Sequence, residues 1–228
     1  MARLCEANLC TGCTACASIC PYGCISMRAD QEGFVRPVVD EKRCVECGLC
    51  TKACPVLSAP EKNPMPAAFA AKNREETVRT MSTSGGVFTL LAEKVLAQGG
   101  VVIGAGYDAD FMVEHQLVDS PEMLPRLRGA KYAQSDLQGI FPQVKELLGQ
   151  GRQVLFSGTP CQVSGLRSYL GKDHSNLLLV DLVCHGVPSP AVWEDMAASL
   201  EQRKKKTLQA VRFRNKVTGW KDSHFTTV

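Results

Sequence analysis

Twelve cysteines are the residues of this 228-residue chain with the clearest chemical potential, and ten of them lie within residues 1–54. Eight of the ten form two runs of identical spacing, Cys-x-x-Cys-x-x-Cys-x-x-x-Cys-Pro, the second starting 34 residues after the first. Thiols at such short intervals can bind metal or pair as disulfides. The runs consist of Cys10, Cys13, Cys16 and Cys20, and of Cys44, Cys47, Cys50 and Cys54.

Three chemistries are open to these runs. A disulfide scaffold fits poorly because the chain opens Met-Ala-Arg-Leu-Cys with no apolar export segment, and we expect a cytoplasmic protein. Zinc sites take their four ligands in pairs, which triplets with a distant fourth cysteine do not provide. The spacing instead matches the run that holds 4Fe-4S clusters in bacterial two-cluster ferredoxins. Residues 1–57 therefore resemble a two-cluster ferredoxin domain.

The repeat also predicts which cysteines share a cluster. Three cysteines at three-residue intervals wrap around one cubane, and the fourth, before proline, reaches the other cluster. Cys5 and Cys24 are left over, and we expect them to be small buried hydrophobic residues or bystanders beside the clusters. The expected ligands are Cys10, Cys13, Cys16 and Cys54 for cluster I, and Cys44, Cys47, Cys50 and Cys20 for cluster II.

Composition sets broader limits. With 45% hydrophobic residues the chain is too apolar for a disordered protein, and it contains no apolar run long enough to span a membrane. The formal net charge is +3, and two cubanes of about −2 each would bring it to about −1. Residues 201–228 hold eight basic and two acidic side chains, without aromatic residues interleaved in the lysine run. We interpret this basic segment as a solvated helix end and expect no nucleic-acid partner.

A proline-rich linker over residues 58–66 separates the cysteine segment from a region of alternating strand and helix patterns. The alternation predicts a mixed α/β domain, whose parts span 67–150 and 151–228. Predicted strands are Ala67–Lys72, Val101–Tyr107, Met112–Val118 (a hairpin with the preceding strand), Gln153–Phe156, Leu177–Val183 and Leu208–Phe213. Predicted helices are Glu75–Thr80, Val87–Gln98, Pro121–Leu127, Leu137–Leu148, Gln162–Leu170 and Ala191–Arg203.

Three glycine-bearing loops interrupt these elements where a ligand could bind. Ser82–Gly86 leads into a helix, whose N-terminus favours an anion, although Ser-Gly-Gly is also a common helix cap. Arg128–Tyr132, followed by Gln134 and Ser135, offers a lysine and a stackable ring, with a helix cap as the alternative. Ser157–Gln162 places Cys161 at a helix N-terminus, and Cys184 follows the next strand. The two cysteines suggest a redox pair or an incomplete metal site, with buried structural thiols as the alternative.

Four segments in this order resemble the beta subunits of the coenzyme F420 hydrogenase/dehydrogenase family. They are Ser84-Gly85-Gly86-Val87-Phe88, Lys131-Tyr132-Ala133-Gln134-Ser135, Gly158-Thr159-Pro160-Cys161-Gln162 and Cys184-His185-Gly186-Val187-Pro188. The resemblance implies an oxidoreductase with FAD, an α/β domain of flavin-binding type, and electron exchange with coenzyme F420 or another two-electron carrier. It implies flavin contacts at Ser84, Gly85, Gly86, Lys131, Tyr132, Ser135, Gly158 and Thr159, and a further 4Fe-4S cluster that uses Cys161 and Cys184.

The resemblance leaves several points open. Family members continue past the point that corresponds to Val228, so we expect this chain to be a fragment. His185 is a candidate for moving a proton, with an ordinary loop histidine as the alternative. A rival interpretation is a ferredoxin-type electron-transfer protein whose α/β part only docks a redox partner. A third class, a cluster sensor that binds nucleic acid, would rest on the basic segment alone.

Overall fold

The computed structural model describes residues 4–59, 67–216, 218–219 and 221–228. Most of the predicted linker over 58–66 lies outside these residues. The described strands form three sheets: a hairpin near the N-terminus, a four-stranded sheet and a C-terminal pair. None of the described helices has the length and apolar character needed to cross a membrane.

The cysteine-rich segment folds as two similar halves around a hairpin. Its elements are α1 (Ala15–Ile19), β1 (Ile25–Ala29), β2 (Val35–Val39) and α2 (Leu49–Ala53). The strands are antiparallel, with Ile25 opposite Val39. The two helices lie against each other, one from each half. This pairing brings the cysteine runs of the two halves side by side.

The rest of the chain is mixed α/β, as predicted. The central sheet has the order β4-β3-β5-β6, in which β3, β5 and β6 are parallel and β4 is antiparallel to β3. A 3-10 helix, Pro121–Leu127, follows β4. The elements are α3 (Glu76–Thr80), α4 (Val87–Leu96), β3 (Val101–Tyr107), β4 (Val113–Val118), α5 (Ile140–Gly149), β5 (Val154–Gly158), α6 (Pro160–Leu170), β6 (Leu177–Asp181), α7 (Pro190–Lys204), β7 (Val211–Asn215) and β8 (His224–Thr227).

Alternate residues of the central strands supply two hydrophobic cores. Ile103 and Phe156 pack on one face with α5 and α6, and the same core includes Cys13 of the cysteine-rich segment. Val102 and Leu155 pack on the other face with α4 and the 3-10 helix. Strands buried on both faces read as continuous apolar runs, which is how Val101–Ile103 and Val154–Phe156 appear in the sequence.

One predicted element is wrong and several boundaries move. Ala67–Lys72 forms no strand, because no neighbouring strand offers it a hydrogen-bonding ladder among the described residues. Helix α5 begins at Ile140 because Gly139 adopts φ +79° just before it. Strand β7 begins at Val211, since the Leu208 N–H donates to the Glu201 carboxylate at 2.8 Å instead of to a strand.

Candidate metal centres and adjoining loops

The first cysteine run surrounds a cavity. Cys10, Cys13 and Cys16 line it together with Cys54, which comes from the second run. The leftover Cys5 lines the same cavity and is partly buried, beside the proposed ligands of the cluster. The other walls are mostly apolar and are formed by Leu4, Met27, Pro37, Pro55 and Val56, with Thr11, Gly12 and Thr14 from the loop itself.

The second run surrounds a matching cavity. Cys44, Cys47 and Cys50 line it together with Cys20 from the first run. The leftover Cys24 is buried beside it, with its sulfur 3.3 Å from that of Cys20. Each cavity therefore collects three cysteines from one run and the last cysteine of the other.

Local backbone geometry explains this exchange. Cys20 ends α1 with φ −72° and ψ +109°, and Cys54 ends α2 with φ −78° and ψ +116°. Each precedes a proline, and the ring of proline pushes the residue before it out of helical geometry into an extended one. Both side chains are thereby carried beyond their own loop. Since α1 and α2 lie together, the side chains of Cys20 and Cys54 each reach the loop of the other cysteine run.

The chemistry of these residues fits 4Fe-4S clusters. Five cysteines line each cavity, four of them from the two runs, and thiolates are the ligands of such clusters. Among the described residues, no three His, Cys, Asp or Glu side chains converge on a point where one metal ion could bind. A cubane needs no such point, because each of its thiolates binds a different iron. Burial raises the pKa of Cys13 to about 11 and that of Cys16 to about 12, so binding iron must displace these protons.

Helix α6 rests directly on the first cavity. A Cβ atom added to Gly165 would lie 3.0 Å from both Cβ and Sγ of Cys13. Cys161 lies in the first turn of the same helix, one turn before Gly165, and a negative charge on its sulfur would add to the burial that raises the pKa of Cys13. At the second cavity Cys47 is exposed, whereas every cysteine that lines the first cavity is buried or partly buried. The first cavity thus has a cysteine in contact with the α/β part, and the second has a cysteine exposed to solvent.

A second link between the two parts comes from Gln134. Its side chain accepts a hydrogen bond from the Val35 N–H at 2.8 Å and donates to the Val35 carbonyl at 3.3 Å. The buried amide therefore pairs with β2 much as a neighbouring strand would. Only a weak signal in the sequence indicated this role: a polar residue within a predicted ligand loop.

The predicted serine–glycine loop stands at the start of α4, where Gly86 has φ +76°. Buried Asn73 holds it, with its N–H donating to the Gly85 carbonyl at 2.7 Å and its amide to the Gly86 carbonyl at 3.4 Å. The Ser84 carbonyl accepts from Lys216 Nζ at 2.9 Å. The backbone of this loop is therefore fixed by neighbouring segments of the chain.

The predicted lysine–tyrosine loop lies beside it, because the Ala130 N–H donates to Thr83 Oγ1 at 2.8 Å. Lys131 Nζ donates to the carbonyls of Arg126 and Arg128, both at 3.1 Å, and burial lowers the pKa of Lys131 to about 7. Tyr132 is partly exposed and contacts Phe213 edge-on, with ring centroids 5.3 Å apart. The structure thus brings two of the three predicted loops together.

Ser135 is buried and belongs to a histidine site that sequence reasoning missed. Its hydroxyl lies 2.6 Å from Nδ1 of His115, whose Nε2 lies 3.1 Å from the Ser157 carbonyl. The histidine stacks on Phe156, and burial lowers its pKa to about 4. The alternation Val113, His115, Leu117 in β4 was the available signal, because it places the histidine on an inward face.

The third loop connects β5 to α6. Thr159 caps the helix in a capping box with Gln162, whose side chain accepts from the Thr159 N–H at 2.8 Å. Gly158 leaves room for this side chain, since an added Cβ would lie 2.8 Å from the same oxygen. Thr159 Oγ1 also lies 3.1 Å from Cys161 Sγ. The loop therefore serves as a helix cap as well as carrying Cys161.

Cys184 and His185 follow β6, which runs parallel to β5, so they lie beyond the same edge of the sheet as Cys161. The Cys184 sulfur accepts from the Gly186 N–H at 3.4 Å, and His185 is exposed. In the described structure Cys161 is a neighbour of Cys13, which the sequence did not predict.

Comparisons with known proteins agree with this architecture. Family models described as 4Fe-4S dicluster domains match residues 9–57 and, overlapping them, 36–89. Two further models, described as the N-terminal and C-terminal parts of the coenzyme F420 hydrogenase/dehydrogenase beta subunit, match residues 68–141 and 151–227. The two cavities and these matches define an iron-sulfur protein of the electron-transfer class. The chain belongs to the family of coenzyme F420 hydrogenase/dehydrogenase beta subunits, as the four segments predicted.

Individual relatives are more distant. One protein of the F(420)H(2) dehydrogenase of Methanosarcina mazei is 24% identical over 201 residues, which cover 81% of this chain and 55% of the relative. This chain thus spans about half the length of that relative. An iron-sulfur protein of the CoB–CoM heterodisulfide reductase of Methanocaldococcus jannaschii is 37% identical over 65 residues, covering 23% of this chain and 10% of the relative. A solved chain from the F420-reducing NiFe hydrogenase complex of Methanosarcina barkeri has a TM-score of 0.44 and 18% identity, covering 69% of this chain and 58% of its own.

Proposed function

We propose that this chain relays electrons through two 4Fe-4S clusters as part of an oxidoreductase. The observation that supports this most directly is the exchange of the last cysteine between the two cavities. When bound, each cluster takes up and releases one electron at a time. Cluster I would be held by Cys10, Cys13, Cys16 and Cys54, and cluster II by Cys44, Cys47, Cys50 and Cys20.

The protein's part in this relay is to hold and shield the clusters. Mostly apolar side chains line the first cavity, and Cys13 and Cys54 are buried. Arg36 donates to the Cys10 carbonyl and to Asp30, which ties the first loop to the hairpin turn. Positioning, burial and hydrogen bonding are the means by which proteins tune such clusters.

The unequal burial of the cavities supports an order for the relay. Cluster I would lie under α6 and so face the α/β part of the chain. Cluster II would lie beside exposed Cys47, where Val45 is 55% exposed and Tyr22 49% exposed. We therefore propose that a redox partner protein or subunit meets cluster II, and that cluster I exchanges electrons with the α/β part.

A flavin, which we propose to be FAD, would connect this relay to coenzyme F420 or another two-electron carrier. Flavins supply the exchange between hydride and single electrons. The adjoining serine–glycine and lysine–tyrosine loops support such a site. So does the buried hydroxyl of Tyr107, which has no hydrogen-bond partner among the described residues and whose ring lies 5.8 Å from Lys131 Nζ. The proposed contacts remain Ser84, Gly85, Gly86, Lys131, Tyr132, Ser135, Gly158 and Thr159.

A further cluster at Cys161 and Cys184 is also proposed, with its remaining ligands from outside these 228 residues. His185 stays a proposed proton-moving residue of that loop. Its exposure allows it to exchange protons with solvent.

A second function is favoured by one specific observation: Lys131 Nζ and Ser135 Oγ already have hydrogen-bond partners within the chain. In this alternative the chain only transfers electrons, and its α/β part docks a partner. The two functions differ in flavin content. After anaerobic reconstitution with iron, sulfide and FAD, the oxidoreductase function expects about one FAD per chain and the alternative expects none.

Iron content tests the clusters themselves. The wild-type chain should bind about eight irons. Cys54→Ala should lose about half of them, whereas Cys5→Ala, the matched control from the same cavity, should keep all eight. The EPR spectrum of the cluster left in Cys54→Ala should match that in Cys10→Ala and differ from that in Cys20→Ala. A match between Cys54→Ala and Cys44→Ala instead would refute the crossed assignment.

A further inference from the structure

Thr14 and Gly48 occupy the same place in the two cysteine runs, directly after the second cysteine. Both adopt left-handed backbone geometry, with φ +63° for Thr14 and φ +75° for Gly48. Each is the N-cap of its short helix. Glycine adopts this geometry without strain, but a β-branched residue is strained in it. The first run therefore carries a strain that the second avoids.

The side chain of Thr14 adds a second cost. The residue is only 5% exposed, and its hydroxyl has no hydrogen-bond partner among the described residues. A buried hydroxyl without a partner is unfavourable, because it has lost its hydrogen bonds to water. Thr14 lines the first cavity together with Cys10, Cys13 and Cys16. The unsatisfied donor is thus found at the wall of the site proposed for cluster I.

We propose that the Thr14 hydroxyl donates a hydrogen bond to a sulfur of cluster I and so raises the reduction potential of that cluster. The inference rests on the proposed function. A donor to cluster sulfur stabilises the reduced state, which carries one more negative charge. Gly48 offers cluster II no hydroxyl, so this hydrogen bond makes the two clusters unequal.

Two variants of Thr14 separate the effect of the hydrogen bond from the effects of packing and strain. Thr14→Val keeps the shape and the β-branched strain but removes the donor, whereas Thr14→Ser keeps the donor. The 228-residue chain would be reconstituted anaerobically and titrated with EPR detection. Thr14→Val should lower one of the two potentials by about 59 mV, a tenfold change in the equilibrium of a one-electron couple, and leave the other unchanged. Thr14→Ser should stay near the wild type.

A second measurement reports the donor directly. The reduced wild-type cluster should show a coupling to an exchangeable hydroxyl proton, and this coupling should vanish in Thr14→Val. If Thr14→Val fails to assemble, Thr14→Gly takes its place, since it relieves the strain, lacks the donor and should show the same lowered potential.

Two outcomes would overturn the inference. One is an iron-loaded Thr14→Val or Thr14→Gly protein with both potentials unchanged, as expected if the hydroxyl bonds only a buried water. The other is an equal shift in the valine and serine variants, which would show a packing effect. Failure of the wild-type chain to bind iron would overturn the proposed function as well, so the two failures are distinguishable.

Discussion

Gly165→Ala tests whether α6 rests on the Cys13 thiol. The added Cβ would meet Cβ and Sγ of Cys13 at 3.0 Å, closer than ordinary van der Waals contact. Alanine gains about 1 kcal/mol over glycine in a helix, and overpacking a filled core costs about 1–3 kcal/mol. The expected net effect is a loss of up to about 2 kcal/mol in the free energy of unfolding.

Gly149→Ala is the matched control, because this residue ends α5 and an added Cβ would have no neighbour within 4 Å. Both variants exchange glycine for alanine in a helix, so the difference between their free energies of unfolding reports the contact with Cys13. We expect this difference to be about 1–3 kcal/mol. Urea unfolding of the three proteins, with and without iron, measures it. Equal stability of the two variants would refute the packing of α6 on the first cavity.

Two further predictions concern buried polar groups. Gln134→Ala removes both hydrogen bonds to Val35 and should lower the free energy of unfolding by about 2 kcal/mol in the same urea assay. The control is Gln138→Ala, which changes an exposed residue and should have little effect. Equal effects of the two substitutions would contradict the role of Gln134. His115 has a pKa of about 4 when folded, below its ordinary 6.5, so the unfolded chain binds the extra proton and stability falls as the pH drops from about 6.5 towards 4. The free energy of unfolding should fall by about 3 kcal/mol between pH 7 and pH 4, and His115→Gln should lack this loss. Unfolding curves measured at several pH values in this range give the free energy for both proteins. If it depended on pH equally in the two, the histidine would not be buried.

The grouping of the cysteines around two cavities was predictable because it depends on local backbone geometry. The short spacing keeps three cysteines in one loop, and the following proline turns the fourth away from it. The hairpin of β3 and β4 was predictable for the same reason, since its apolar strands flank a short turn. The strand expected at Ala67–Lys72 failed because a strand needs a partner, and pairing depends on the whole fold. Gly165, Gln134 and His115 were missed since each owes its role to a neighbour far away in sequence. Nothing in the residues around Gly165 indicates that Cys13 will lie against it.

The exchange of Cys20 and Cys54 between the cavities has a consequence for assembly. Neither cavity is complete until both halves of the cysteine-rich segment have folded together, so the sites form as a unit and not one after the other. Ligands that tie distant residues also restrict the unfolded chain, by an amount that grows slowly with the length of the loop they close. Removing iron from one cavity would free a cysteine at the end of the helix that borders the other. A chain that loses one cluster therefore keeps the four proposed ligands of the other, with a free thiol close beside them.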